Sequence, residues 1–131
     1  MMFDAEMIRR TVLELGFPPG SALVHAGAAL TLHGLSPNAG DIDIAVNEIG
    51  WQHALSLGTP APALLDDRIE PRPGVEVFNG WLGEPLSGLF ARAVERSGVL
   101  VASPADILEF KRKLNREKDQ EHIRILESFL Q

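Results

Sequence analysis

The chain has 131 residues, a formal net charge of −6 and no cysteine, and 45% of its residues are hydrophobic. This length and balance predict a single domain over residues 1–131 and exclude a disulfide-stapled scaffold and a thiolate zinc site. The net acidity argues against a protein whose main task is gripping a nucleic-acid backbone, although half of the twelve Lys and Arg residues lie in 111–131.

Hydrophobic runs in the chain are short. None approaches the roughly 18 apolar residues that a membrane-spanning helix needs, and the N-terminus lacks the apolar run of a signal peptide. We therefore expect a cytoplasmic protein without a membrane partner.

The first elements in the chain are a helix, a strand and a second helix. The first helix is predicted to begin at its cap Asp4 and to end at Gly16, before a pair of prolines. Residues 22–26 form a short apolar run typical of a buried strand, Gly27 follows as a turn, and 28–32 predict a short helix. Exposed amides at such a junction suit a phosphate, although Gly27 alone is more simply an ordinary tight turn.

Period-two alternation from Asp41 to Val46 predicts the clearest strand of the chain. Ser103 and the residues after it have the cap, first-turn proline and acidic position of a helix start, and a last helix begins near Asp119. Between these segments the patterns predict a helix over 47–57, a hairpin of 67–70 and 74–78, a helix over 86–96 and a strand over 98–101. Together the elements predict an α/β (α+β) fold with a small mixed β-sheet flanked by helices, on which C-terminal helices, about 103–131, pack.

Two carboxylates stand on the predicted strand at Asp41 and Asp43. Side chains alternate along a strand, so both project from one face and can converge on a hard cation such as Mg²⁺ or Mn²⁺. An isolated Asp-x-Asp is more often the wet face of an edge strand. The glycine turn shortly before it favours the metal site.

A third carboxylate, Glu76, is flanked by Val75 and Val77 in the second half of the predicted hairpin. The alternation directs Glu76 away from the apolar face, as a further metal ligand or a general base requires. A solvent-facing strand residue fits the same pattern equally well.

These segments resemble a known family. Val24–Leu35, followed by Asp41–Ile44, is similar to the signature of the nucleotidyltransferase superfamily with the polymerase-beta-like fold, in which a glycine turn opens a short helix before a strand bearing Asp-x-Asp. The nearest likeness is to small bacterial members, the minimal and abortive-infection toxin-like nucleotidyltransferases. Val101–Lys111 resembles the start of their lysine-bearing helix, and Arg116 with Lys118-Asp119 matches the pattern that follows.

The resemblance implies transfer of a nucleoside monophosphate from a nucleoside triphosphate to an acceptor hydroxyl on a small molecule, a protein or RNA. By this resemblance Asp41, Asp43 and Glu76 form a catalytic, metal-binding triad. Gly27 and Ala28 lie against the triphosphate, which also meets three cations, Lys111, Arg116 and Lys118. Asp119 is then a helix cap, an orienting partner for Lys118, or both.

The chain departs from the family pattern in two places. Ala28 stands where relatives carry Gly or Ser, and the loop Ser36–Gly40 lacks the arginine and threonine that many relatives place there. The uncharged loop and the small size of the chain favour an alternative, a catalytically weakened copy of the fold that acts as a binding or regulatory module, for example with a partner protein in a toxin–antitoxin pair. His122 stands where relatives carry an acid and receives no role. His25 has no metal-ligand spacing and is expected to be structural.

Overall fold

The computed structural model describes residues 2–131, which contain six α-helices and seven β-strands. The helices are α1 (Ala5–Leu15), α2 (Ala26–Leu32), α3 (Glu48–Ala54), α4 (Leu86–Arg92), α5 (Pro104–Leu114) and α6 (Gln120–Phe129). The strands are β1 (Ala22–His25), β2 (Ile42–Val46), β3 (Ala61–Pro62), β4 (Asp67–Arg72), β5 (Val75–Phe78), β6 (Val94–Arg96) and β7 (Val99–Val101). A 3₁₀ turn over Glu117–Asp119 precedes α6.

The strands form one mixed sheet in the order β3-β4-β5-β2-β1-β7-β6. The pairs β2–β5 and β1–β7 are parallel, and the other neighbours are antiparallel. The architecture is therefore a mixed sheet with helices, as expected for an α+β protein. In residues 2–131 no helix is both long and apolar enough to cross a membrane.

The centre of the sheet separates a buried face from a polar one. Ile42 and Ile44 on β2, and Val75 and Val77 on β5, are fully buried and belong to the hydrophobic core. Asp43 lies between the two isoleucines and is only partly buried. The predicted alternation is thus confirmed, and it places the carboxylates on the face opposite these core residues.

Local capping signals at the helix ends are confirmed. Asp4 Oδ1 accepts a hydrogen bond of 2.9 Å from the Met7 amide at the start of α1, and Gly16 ends that helix with φ +71°. Ser103 Oγ accepts a 3.1 Å hydrogen bond from the Asp106 amide at the start of α5. The hairpin of β4 and β5 also forms, with β4 extending to Arg72.

The junction between β1 and α2 differs from the prediction. There is no glycine turn at Gly27, because α2 follows β1 directly and already contains this glycine. The residue with positive φ is Ala26, at +57°. An L-residue seldom adopts this conformation, so the sharp change of direction at Ala26 is locally strained.

The predicted helix over 86–96 is also wrong in its second half. Helix α4 ends at Arg92, and β6 begins at Val94 and pairs with β7. Ser97 and Gly98 connect these two strands and both have positive φ, the conformation of a tight I′-type hairpin turn. Pairing with β7 therefore overrides the helical pattern.

Candidate active site

The carboxylates meet because of strand register. Asp43 on β2 lies opposite His25 on the antiparallel strand β1 and opposite Glu76 on the parallel strand β5. Directly opposed residues of neighbouring strands project from the same face. Asp41 precedes β2, and together with Asp43 and Glu76 it lines a cavity of about 720 Å³. The three predicted metal ligands thus share one site.

Asp43 is the carboxylate of this cavity whose pKa is clearly raised. Its pKa is raised to about 7, first by burial and then by the negative charges of Glu76 and Asp41. The positive charges of Lys111 and Arg116 oppose this rise without cancelling it. The site therefore holds an excess of negative charge that a bound cation would offset.

Glu76 is not free in this structure. Its Oε2 accepts a hydrogen bond from a guanidinium N–H of Arg68, which lies on the neighbouring strand β4. This hydrogen bond is the main reason why the pKa of Arg68 is raised. Arg68 was not among the site residues predicted from the sequence, although the predicted hairpin brings its strand next to that of Glu76. With Arg68 paired to Phe78, Glu76 is its diagonal neighbour across the two strands.

The cationic side of the cavity is organised by Asp119, whose side chain is fully buried. Lys111 Nζ donates to Asp119 Oδ1 at 3.0 Å, and Arg116 Nε donates to Oδ2 at 2.8 Å. Burial raises the pKa of Asp119, but the hydrogen bonds from Arg116 and Lys111 outweigh it and hold this pKa well below its usual range. Asp119 thus orients Lys111 and Arg116. Of its two expected roles, the contact with Lys118 does not form, whereas Asp119 is the N-cap residue of α6, although its side chain makes no capping hydrogen bond to that helix.

Most of the predicted site residues come together. The 720 Å³ cavity is lined by Gly27, Asp41, Asp43, Glu76, Lys111, Arg116 and Lys118. The exception is Ala28, which is 1% exposed and packs in the hydrophobic core. The expectation that Ala28 lies against a triphosphate is therefore wrong, because its place on α2 turns it into the core.

Gly27 lies at the wall of the cavity and has space around it. A Cβ atom added to Gly27 would meet Ala39 Cβ and His122 Cε1 at 3.9 Å, which is ordinary van der Waals contact. The fold therefore does not need glycine at this position. Loop residues Asn38–Gly40 also line the cavity and bring no charge to it.

Aromatic side chains form another wall of the cavity. Trp81 stacks on His25 with ring centroids 4.3 Å apart, and Phe110 packs against Trp81 at 5.0 Å. The Leu82 amide donates to Asp66 Oδ2 at 3.0 Å, which holds the loop that carries Trp81. Trp81 therefore borders the cavity.

The donor set fits a hard divalent cation in part. Among residues 2–131 no three His, Asp or Glu side chains are already arranged as a metal-binding group. Asp41 and Asp43 lack ion-pair partners within the same range, whereas Glu76 is engaged by Arg68. Because Mg²⁺ often takes one or two carboxylates and fills its other positions with water and substrate phosphates, the two aspartates are sufficient ligands.

Comparison with models of known protein families, with curated proteins and with solved structures finds no match to this chain. Function is therefore inferred from the residues of the cavity.

Proposed function

We propose that this protein is a nucleotidyltransferase that moves a nucleoside monophosphate from a nucleoside triphosphate to an acceptor hydroxyl with Mg²⁺ or Mn²⁺. The observation that carries this proposal is the convergence of acidic and basic groups on one cavity. Asp43 and Glu76 lie on the sheet and Asp41 immediately precedes β2, whereas Lys111 and Arg116 come from α5 and the segment after it. Such a cavity suits a metal-bound, multiply charged phosphate ligand.

The acidic side of the cavity would hold the cation. Asp41 and Asp43 are the ligands, and Glu76 joins them when it leaves Arg68. When bound, the cation supplies neutralisation of charge on the phosphate oxygens and on the leaving pyrophosphate. Manganese fits the same oxygen donors.

The basic side of the cavity would bind the triphosphate. Lys111 and Arg116 are held in place by Asp119, so little side-chain freedom is lost when a phosphate binds. Lys118 is exposed at the cavity and has no ion-pair partner within residues 2–131, which leaves its charge available. A net-negative protein can therefore attract a polyanion locally.

The reaction forms one phosphorus–oxygen bond and breaks another. The acceptor oxygen attacks the α-phosphorus, the bond from that phosphorus to the oxygen bridging to the β-phosphorus breaks, and pyrophosphate leaves. Glu76 would take the proton of the acceptor hydroxyl; its carboxylate lines the same cavity, which supports this role. Lys111 and Arg116 stabilise the charge on the pyrophosphate.

Mass spectrometry tests the proposal directly. The purified protein is incubated with Mg²⁺, each of the common nucleoside triphosphates and panels of small-molecule, protein and RNA acceptors. The expected product is an acceptor heavier by one nucleoside monophosphate, and a D41N/D43N double variant should form none. D67N is the matched control, because Asp67 is exposed on β4 and does not line the cavity. Equal activity of the double variant and D67N would refute the assignment.

A second candidate function has its own observation. The wall formed by Asn38–Gly40 is uncharged, and Glu76 is already paired with Arg68. Both features favour a weakened site that binds a nucleotide and regulates a partner protein, as in a toxin–antitoxin pair. Calorimetry distinguishes the two functions, because saturable nucleotide binding without product on any acceptor supports this candidate and turnover eliminates it.

A further inference from the structure

A second, smaller cavity lies on the other side of the aromatic wall. Its volume is about 250 Å³, and it shares Trp81, Leu82 and Phe110 with the larger cavity. His25 and Leu89 also line it, whereas none of the three carboxylates of the proposed active site does. This volume is below the roughly 300–1,000 Å³ of sites for drug-sized ligands, so an occupant has the size of a small metabolite.

Two of the residues that line this cavity carry a buried ring nitrogen without a hydrogen-bond partner in the described part of the chain. His25 is 1% exposed and Trp81 is 6% exposed. His25 Nε2 and Trp81 Nε1 are buried, and neither has a partner within residues 2–131. A buried polar group without a partner is unfavourable, and native proteins rarely leave one unpaired. Two such atoms in one stacked pair of rings indicate that a molecule outside the chain supplies their hydrogen-bond partner.

Both of these nitrogen atoms are donors. Trp81 Nε1 always carries a hydrogen. His25 Nδ1 accepts a 2.7 Å hydrogen bond from the Ala26 amide, so the proton of the neutral imidazole is on Nε2. The missing partner is therefore an acceptor, such as a carboxylate or carbonyl oxygen.

Charged side chains at this cavity leave one carboxylate unpaired. Arg92 binds Asp106 at 2.9 Å, and Lys113 lies 3.5 Å from Glu84. Glu109 is exposed, lines the cavity and has no ion pair within residues 2–131. A ligand with a positive group would pair with it.

We propose that this cavity binds a small zwitterion of amino-acid size. The carboxylate of the ligand accepts hydrogen bonds from His25 Nε2 and Trp81 Nε1, and its ammonium group faces Glu109. The apolar side chain contacts Leu89 and Phe110. This site uses no metal and no triphosphate, so it stands whether or not the chain transfers nucleotides.

Nuclear magnetic resonance of ¹⁵N-labelled protein tests the site, with the Trp51 indole N–H as an internal control outside both cavities. The probes are L-valine, acetate and isobutylamine, added without metal or nucleotide. We expect valine to shift the Trp81 indole resonance saturably with a Kd of about 1 mM, acetate to bind about tenfold more weakly and isobutylamine not to shift it. The Trp51 resonance should stay in place throughout.

Variants separate the two halves of the ligand. E109Q should weaken valine binding about tenfold and leave acetate binding unchanged, since a charge-assisted contact contributes about 1.5 kcal/mol or more. E95Q is the matched control, because Glu95 is exposed and lines neither cavity. An immobile Trp81 resonance with all three probes would overturn the proposal, with solvent as the partner of both donors. Equal binding of valine and acetate, or no effect of E109Q, would overturn it too.

Discussion

Asp43 and Glu76 lie opposite each other on the parallel strands β2 and β5, so two carboxylates project side by side from the same face of the sheet. Like charges at this separation in a partly buried site disfavour double ionisation. Burial is the main cause of the raised pKa of Asp43, and this placement beside Glu76 adds to it. The arrangement is therefore strained electrostatically until a cation or a proton enters it.

The first prediction concerns the pH dependence of stability. The pKa of Asp43 is about 7 in the folded chain, whereas that of an unfolded aspartate is about 4. Between these values the folded state binds more protons, so the free energy of unfolding falls as pH rises from about 4 to about 7. D43N removes this loss and should raise the free energy of unfolding at pH 8 by ~1 kcal/mol or more. Urea titrations of the parent chain and of D43N at pH 5 and pH 8 measure this free energy of unfolding.

His25 has the opposite effect on the pH dependence of stability, and this effect should become visible in D43N. The pKa of His25 is lowered by burial to about 3, so the unfolded state binds more protons below about 6.5 and stability is lost as the pH falls from there. The two groups oppose each other between about pH 4 and 6.5. In D43N, stability should therefore decline more steeply on the acid side than in the parent chain. D67N should behave like the parent, and a D43N profile that matches D67N would contradict the role of Asp43.

The second prediction concerns Arg68 and Mg²⁺. The guanidinium group of Arg68 competes with a metal ion for the carboxylate of Glu76. Replacement of the charge in R68Q should raise the affinity for Mg²⁺ alone by about two- to fivefold, as expected for loss of a partly exposed ion pair worth up to ~1 kcal/mol. Isothermal calorimetry measures this affinity.

Arg72 provides the control for this measurement. It lies on the same strand and pairs with Glu14 at 2.9 Å, away from both cavities. R72Q should therefore leave the metal affinity as it is. An unchanged or lower affinity in R68Q would show that Arg68 does not compete for Glu76.

Short-range signals account for the parts of the structure that the sequence predicted well. The alternation through Asp43 depends only on which neighbours are apolar, and the caps Asp4 and Ser103 act on amides three residues away. Contacts between different segments of the chain cannot be predicted from the local sequence pattern. Val94 lies in a segment with a helical pattern but adopts a strand because it pairs with β7. The contact between Asp119 and Lys111 likewise forms only when the chain folds.

The strained position illustrates the same limit. Glycine is the residue for which positive φ has little steric cost, which made Gly27 the expected turn. Ala26 adopts it instead, and its amide is held by His25 Nδ1. The cost of such a conformation is offset by packing around Ala26, which is buried. No local rule predicts that compensation.

The third prediction separates stability from binding at the buried ion pair of Lys111 and Asp119. D119N leaves the buried ammonium of Lys111 without its counter-charge, so the free energy of unfolding should fall by ~3 kcal/mol or more. The K111M/D119L double variant removes both charges and should recover most of that loss. Thermal unfolding measures both.

Nucleotide affinity gives the second readout for the same pair. The double variant should fold but bind a nucleoside triphosphate at least tenfold more weakly, because the cation at position 111 is gone and Arg116 has lost its anchor. If the double variant binds as tightly as the parent, the pair serves the fold alone.

The fourth prediction concerns Gly27, a cavity residue at which the fold has room for the methyl group of alanine. G27A should leave the melting temperature unchanged or slightly higher, since alanine favours a helix over glycine by about 1 kcal/mol and the new methyl group meets atoms only at 3.9 Å. The same methyl group projects where the proposed triphosphate lies, so nucleotide affinity should fall about tenfold or more. G88A is the control, because Gly88 is on α4 outside both cavities and an added Cβ meets only the flexible end of Arg92. Tight nucleotide binding by G27A would place the phosphates elsewhere in the cavity, whereas weak binding by both variants would reflect a general loss of helix packing.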